Sequence, residues 1–180
     1  EGDIRGYFVH LVEERQLAKS TIRVRLCGLK FFYETTLGRQ WEVFDLVKAK
    51  RGRRLPTVLS RGEVCHLLNT VRHRRHHAAM LLGYACGLRI SEVLSLRVSQ
   101  LDGERRLVHV VSGKGRKDRY VPLSARVLER LREYWLEARP QDVLFPSPHW
   151  PDRAMRASSL QRVVRKVAEE AQLRKHVTFH

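Results

Sequence analysis

Between Leu107 and Leu123 the apolar period drops from three-to-four residues to two, and this switch constrains the fold more than any other feature of the chain. In "RRLVHVVSGKGRKDRYVPLS", Leu107, His109 and Val111 alternate with Val108 and Val110, Gly113 and Gly115 mark a turn, and Tyr120 to Leu123 return. Two short alternating runs about a glycine turn make a β-hairpin, with Lys114 at its tip. Everything around the hairpin is written with helical spacing. Ile4, Tyr7, Phe8, Leu11 and Val12 form one stripe. Ser20-Thr21 reads as the N-cap of a second helix, whose apolar face is Ile22, Leu26, Leu29, Phe32 and Tyr33. Ser60 followed by Glu63 has capping-box spacing, and helical text then runs to Gly87, a left-handed stop. A new helix begins near Arg89 to Ser91, and others follow at about 125–138 and about 158–172, the latter opened by Ser158 or Ser159. The expected class is mainly α with a small antiparallel β-sheet, with neither internal repeat nor low-complexity tract.

The 180 residues suffice for one ordinary domain, or for a medium domain with a smaller one. A hydrophobic fraction of 43% is globular, but 35 Lys+Arg against 19 Asp+Glu gives +16 and a pI near 10.7. Such an excess repels itself on compaction and suits a polyanionic partner. A membrane is the weaker partner: no run approaches the roughly 18 apolar residues of a spanning helix, and "EGDIRGYF" resembles no targeting peptide. Three cysteines without a CxxC point to a reducing, cytoplasmic setting. In "VKAKRGRRLP", Lys48, Lys50, Arg51, Arg53 and Arg54 crowd around a glycine before Pro56, which reads as a basic linker or, more simply, a solvated charge run. The expected division is 1–47, a linker at 48–56, and 57–180. The absence of an initial Met and the stop inside "KHVTFH" give the expectation of a chain cut at both ends.

"GLRISEVLSLR" puts Arg89 at the mouth of an apolar-patterned helix. The helix dipole favours anions there, so it explains Glu92 in the first turn but not the arginine. One reading is an Arg89–Glu92 pair that fixes the turn. The other is a phosphate clamp, since a guanidinium offers two parallel donors to phosphate oxygens. Lys114 alone is a solvated turn lysine. Taken with Arg89, the basic linker and His180 just past "VTF", it fits phosphoryl-transfer chemistry, in which cations stabilise transition-state charge and histidine or lysine moves the proton.

The stretches "LPTVLSRGEVCHLLNTV", "LLGYACGLRISEVLSLRVSQLD", "VHVVSGKGRKDRYVPLS" and "HVTFH" together resemble the tyrosine recombinase, or phage integrase, family, near its Xer-like and integron or transposon branches. The resemblance covers nearly the whole chain. It is carried by G-L-R-x-S-E followed two dozen residues later by a G-K-G-x-K-[DE]-R hairpin. It implies that 1–47 is the C-terminal part of a helical, SAM-like core-binding domain and 57–180 a catalytic domain incomplete at its C-terminus. It also implies that the two clamp double-stranded DNA, with a homotetrameric synapse in the complete protein. By position, Arg89 resembles the arginine that holds the scissile phosphate, Glu92 its acidic support, Lys114 the general acid for the 5′-hydroxyl leaving group, and His180 the first residue of an H-x-x-R box. Arg116 and Lys117, with the linker cations, would contact DNA. A tyrosine hydroxyl attacks the phosphate to give a 3′-phosphotyrosine link that a second 5′-hydroxyl reverses, and the family uses no metal, ATP or other cofactor. None of Tyr7, Tyr33, Tyr84, Tyr120 or Tyr134 stands in the expected nucleophile position, so the chain is expected to bind DNA weakly and not cut it.

Two other classes fit the charge: a non-catalytic DNA- or RNA-binding protein, such as a degenerate recombinase, and a structural ribosomal or nucleoid protein. The latter gives no reason for Arg89, Glu92 and Lys114 in this order. Cys65, His66, His73, His76 and His77 match no zinc-finger spacing, and the arginines of "RHRRHH" oppose a cation; the run reads as a DNA-facing or solvated helix surface. Trp41, Phe145 and Trp150 are expected in the core rather than stacked on bases.

Overall fold

A computed structural model of the chain describes residues 2–39, 57–111 and 118–179. The chain divides into two compact units, 1–55 and 56–180. The expected linker cations Lys48, Lys50, Arg51, Arg53 and Arg54, the hairpin residues Lys114, Arg116 and Lys117, and Trp41 and His180 lie outside the described residues.

In the first unit, α1 (Gly2–Glu13) packs on α2 (Lys19–Phe31), which continues into a single π-helical turn at Phe32–Thr36. Leu11, Ile22 and Leu26 are buried between the two helices, while Tyr7, Val12 and Phe32 of the expected stripes are exposed. Two helices have too little facing surface to bury wider stripes. Ser20-Thr21 does not cap α2. The cap is Ala18, two residues before Ser20, and its carbonyl already accepts from Thr21 N at 2.9 Å and Ile22 N at 3.1 Å.

The second unit opens on α3 (Arg61–Thr70) with both halves of the expected capping box. Ser60 Oγ accepts from Glu63 N at 3.2 Å, and Ser60 N donates to Glu63 Oε2 at 2.6 Å. The helical text beyond it is two helices, broken where Val71 turns extended and turns inward to the core. The second, α4 (Arg74–Cys86), ends at Gly87, whose φ of 60° and ψ of 33° are left-handed, where a Cβ is costly. Leu88, 3% exposed, then pins the chain so that α5 (Ile90–Ser95) can begin.

A 3₁₀ turn at Val98–Gln100 leads to β1 (Leu101–Asp102), β2 (Leu107–Val110) and β3 (Arg119–Pro122), an antiparallel sheet in that order. The hairpin runs in the register Leu107↔Pro122 to Val110↔Arg119, and β1 is an added strand that its two residues were too few to announce. Val108 and Val110 face the core, 0% and 2% exposed.

Ser124 caps α6 (Ala125–Ala138), and the chain returns along α5's exit, with Leu144 N donating to Leu96 O at 2.9 Å. Tyr134 of α6 stacks on Phe145, and its hydroxyl donates to Leu144 O at 2.9 Å, satisfying a buried phenol. The last helix, α7 (Ala157–Glu170), has Arg156 rather than Ser158 or Ser159 at its N-cap, and the Arg156 carbonyl accepts from Ser159 N and Leu160 N. Phe145 is fully buried, as expected. Trp150 is 59% exposed, carried on a loop between the Pro146↔Ala154 bridge residues with Arg153 over its ring.

The "RHRRHH" run is neither wholly solvated nor wholly surface. His73 is exposed ahead of α4, but His76 and His77 are half-buried, and burial pulls both below the usual histidine range. Cys27 and Cys65 are exposed, and all three cysteines are free. Among the described residues, no helix is long and apolar enough to cross a membrane.

Candidate active site

The site is built on α5. Ile90, Val93 and Leu94 are buried, so this six-residue helix is held by its apolar side rather than by its own hydrogen bonds. Arg89 sits at the N-cap in extended conformation, and Glu92 reaches back so that Arg89 N donates to its Oε2 at 2.8 Å. This is one half of a capping box. The other half is missing because a guanidinium has no acceptor to offer.

Glu92 is the one buried charged residue among the described ones, at 8% exposure. Four hydrogen bonds satisfy it. Arg89 Nη1 lies 2.9 Å from Oε1, and Arg119, at the head of β3, places Nη1 3.0 Å from Oε1 and Nη2 2.8 Å from Oε2. The Arg119 hydrogen bonds, followed by those of Arg89, hold the carboxyl down at about 2, against burial that pushes it up. The same contact raises Arg119 above its ordinary value.

Both readings of Arg89 therefore meet in one geometry. The Arg89–Glu92 pair exists, yet it occupies only Nη1; Nε and Nη2 have no partner among the described residues, and the side chain is 49% exposed. Two guanidiniums about one carboxylate leave a net positive charge at an open surface, which is the arrangement an anion needs. An open cavity of about 400 Å³ adjoins Glu92, between Ser91 and Ser95 of α5 and Val110-Val111 at the end of β2.

The C-terminal segment packs on α4 and α7. Val177 is buried, Phe179 N donates to Gln161 Oε1 of α7 at 3.5 Å, and the Phe179 ring lies so close over Gly83 that a Cβ there would collide with it. Gly83 is in the last turn of α4, just ahead of the Gly87 stop. Lys175 holds the segment's start by donating to Val58 O and to the capping-box carboxylate of Glu63.

Of the residues expected from sequence, Arg89 and Glu92 are brought together. Lys114, His180, Arg116 and Lys117 fall outside the described residues. Arg119 was missed, although it is the final letter of the G-K-G-x-K-[DE]-R block. Its signal was spacing: the first residue after a hairpin turn re-enters the sheet beside whatever the strand covers.

Comparison with known proteins places this geometry. The profile of the Phage integrase family matches residues 57–180, and that of the Phage integrase N-terminal SAM-like domain matches 1–43. The chain belongs to the phage integrase family. Its family relatives are the tyrosine recombinases. The putative integrase/recombinase y4qK of Sinorhizobium fredii is 40% identical over 99% of this integrase-family chain and 58% of its own length. Among solved structures, XerA recombinase matches with a TM-score of 0.62 at 28% identity, over 99% of this chain and 64% of that one. The XerH site-specific recombinase bound to palindromic difH substrate matches with a TM-score of 0.61 at 25% identity, over 73% and 41%. The chain thus spans about three-fifths of the length of y4qK.

Proposed function

We propose that this chain supplies part of the DNA-holding and phosphate-activating machinery of a tyrosine recombinase that breaks and rejoins duplex DNA through a 3′-phosphotyrosine intermediate. One observation carries the reading: a half-exposed Arg89 is tethered by a single Nη to a buried, fully satisfied carboxylate, with its other donors open among the described residues. A guanidinium so held is ordered in advance and, among the described residues, has no competing anion on its open side, as transition-state charge stabilisation requires.

In this reading Arg89 binds the scissile phosphate and Glu92 keeps it in place. Lys114, between β2 and β3 in sequence, donates the proton to the 5′-hydroxyl, and His180 assists at the tyrosine. The linker cations Lys48, Lys50, Arg51, Arg53 and Arg54, with Arg116 and Lys117, grip the DNA backbone, 1–47 being a core-binding unit and 57–180 a catalytic unit. The XerH relative, bound to its difH substrate, supports a duplex as the partner. The complete enzyme works as a tetramer on two duplexes, without metal.

In this reading none of the five tyrosines serves as the nucleophile, and two of them are already engaged. Tyr134 is buried and spends its proton on Leu144 O, and the Tyr7 hydroxyl accepts from Arg25 at 3.0 Å in the other unit. The test is fluorescence anisotropy of a labelled duplex with the 180-residue chain across a salt series, followed by a denaturing gel. Affinity should fall steeply, log Kd rising linearly with log salt as counterions are released, and no covalent adduct should form. A salt-independent affinity would remove DNA as the partner. A covalent protein–DNA band would show that one of the five tyrosines is the nucleophile after all.

A further inference from the structure

Arg119 belongs to the hairpin, not to α5, yet it makes the tightest contact of the site. It is the first residue of β3, paired across the sheet with Val110. Its two terminal nitrogens meet the two oxygens of Glu92 in parallel, at 3.0 and 2.8 Å. That two-point fit fixes the carboxylate plane, which a one-point contact does not. The Nη1 atoms of Arg89 and Arg119 share Oε1, so the orientation that Arg119 imposes on the carboxylate sets where Arg89 Nη1 is held. An arginine–glutamate pair three residues apart on a helix surface is weak by itself. Here the glutamate is buried and clamped from the other side.

Arg119 also has little left for a ligand. Its side chain is 36% exposed, and both Nη atoms are committed to Glu92. This distinguishes it from Arg89, whose second Nη has no partner among the described residues. We propose that Arg119 is a positioning residue: acting through Glu92, it holds the Arg89 guanidinium ready for a DNA phosphate, and as the head of β3 it ties the C-terminal root of the Lys114 hairpin to the same carboxylate. The inference rests on Arg89 as the phosphate-holding residue. Lysine at 119 keeps the charge but has one ammonium, which cannot span both oxygens, so geometry and charge are separable by a conservative substitution.

The experiment is a double-mutant cycle on the 180-residue chain, reading duplex affinity by anisotropy at one fixed salt concentration. Arg89→Ala should weaken binding by about tenfold, the usual effect of losing one charge-assisted hydrogen-bonded contact. Arg119→Lys should weaken it nearly as much despite its retained charge, and the two together should be no weaker than Arg89→Ala alone. Effects that multiply would make Arg119 a direct phosphate contact and overturn the proposal, as would an Arg119→Lys chain that binds like wild type.

A second readout needs no DNA. In the side-chain NMR spectrum, the Arg89 Nη1 protons, bonded to Glu92 Oε1, should exchange slowly in the wild type and lose that protection in Arg119→Lys and in Glu92→Gln. Glu92→Gln serves if Arg119→Lys fails to fold. Unchanged Arg89 protection in a folded variant overturns the positioning role. If instead Arg89→Ala binds as tightly as wild type while the protection is lost as expected, the phosphate role of Arg89 has failed and the Arg119–Glu92–Arg89 linkage has not.

Discussion

Glu92 shows how one residue can be expensive alone and stabilising in company. An unpaired buried carboxylate either protonates or unfolds its surroundings. This one accepts four hydrogen bonds from two arginines and stays ionised, with its carboxyl held at about 2. Because the folded value is depressed below the ordinary 4.5, the stabilisation is fully present above about pH 4.5 and is lost as pH falls through about 2. A shift of that size corresponds to on the order of 3 kcal/mol. Glu92→Gln should therefore be less stable than wild type in urea unfolding at neutral pH, and the gap should close as pH falls from 4.5 towards 2. A gap independent of pH would mean that shape, not charge, is what Glu92 contributes.

At the scale of elements, the parts legible in the sequence were those set by short-range chemistry. Ser60 with Glu63, the Gly87 stop and the alternation of β2 each state a local rule that packing then obeys. The starts of α2 and α7 were not legible, because the nearby serines lost to a backbone carbonyl at Ala18 and at Arg156. Trp150 misled for the converse reason: its ring is apolar, but its loop keeps it outside with Arg153.

Two glycines test the element-level reading with opposite signs. Gly87→Ala should cost about 1–2 kcal/mol for a left-handed residue with a Cβ. Gly62→Ala, in the first turn of α3 with only Ser60 Oγ approaching at 3.9 Å, should gain a few tenths to about 1 kcal/mol. Thermal or urea unfolding of the pair checks both; equal effects would contradict the assigned backbone geometry.

On the scale of the whole molecule, the site joins pieces far apart in sequence: a helix mouth at 89–92 and a strand head at 119. Arg89 and Glu92 were legible together because they sit within one turn. Arg119 was not, since a basic residue after a hairpin turn reads as solvated until the strand register shows what it faces. The charge of +16 pointed to a polyanionic partner and said nothing about where it would bind. In the proposed function, Arg89 is the place. The most direct test is an NMR titration of the arginine side-chain signals with a duplex oligonucleotide, the Arg89 resonance being assigned by its absence in Arg89→Ala. The expected result is that the Arg89 Nε–H signal shifts and gains protection on binding, while the Arg119 signal stays in place. An Arg89 signal that stays unmoved while other arginines shift would contradict the phosphate-holding role on which the functional reading stands.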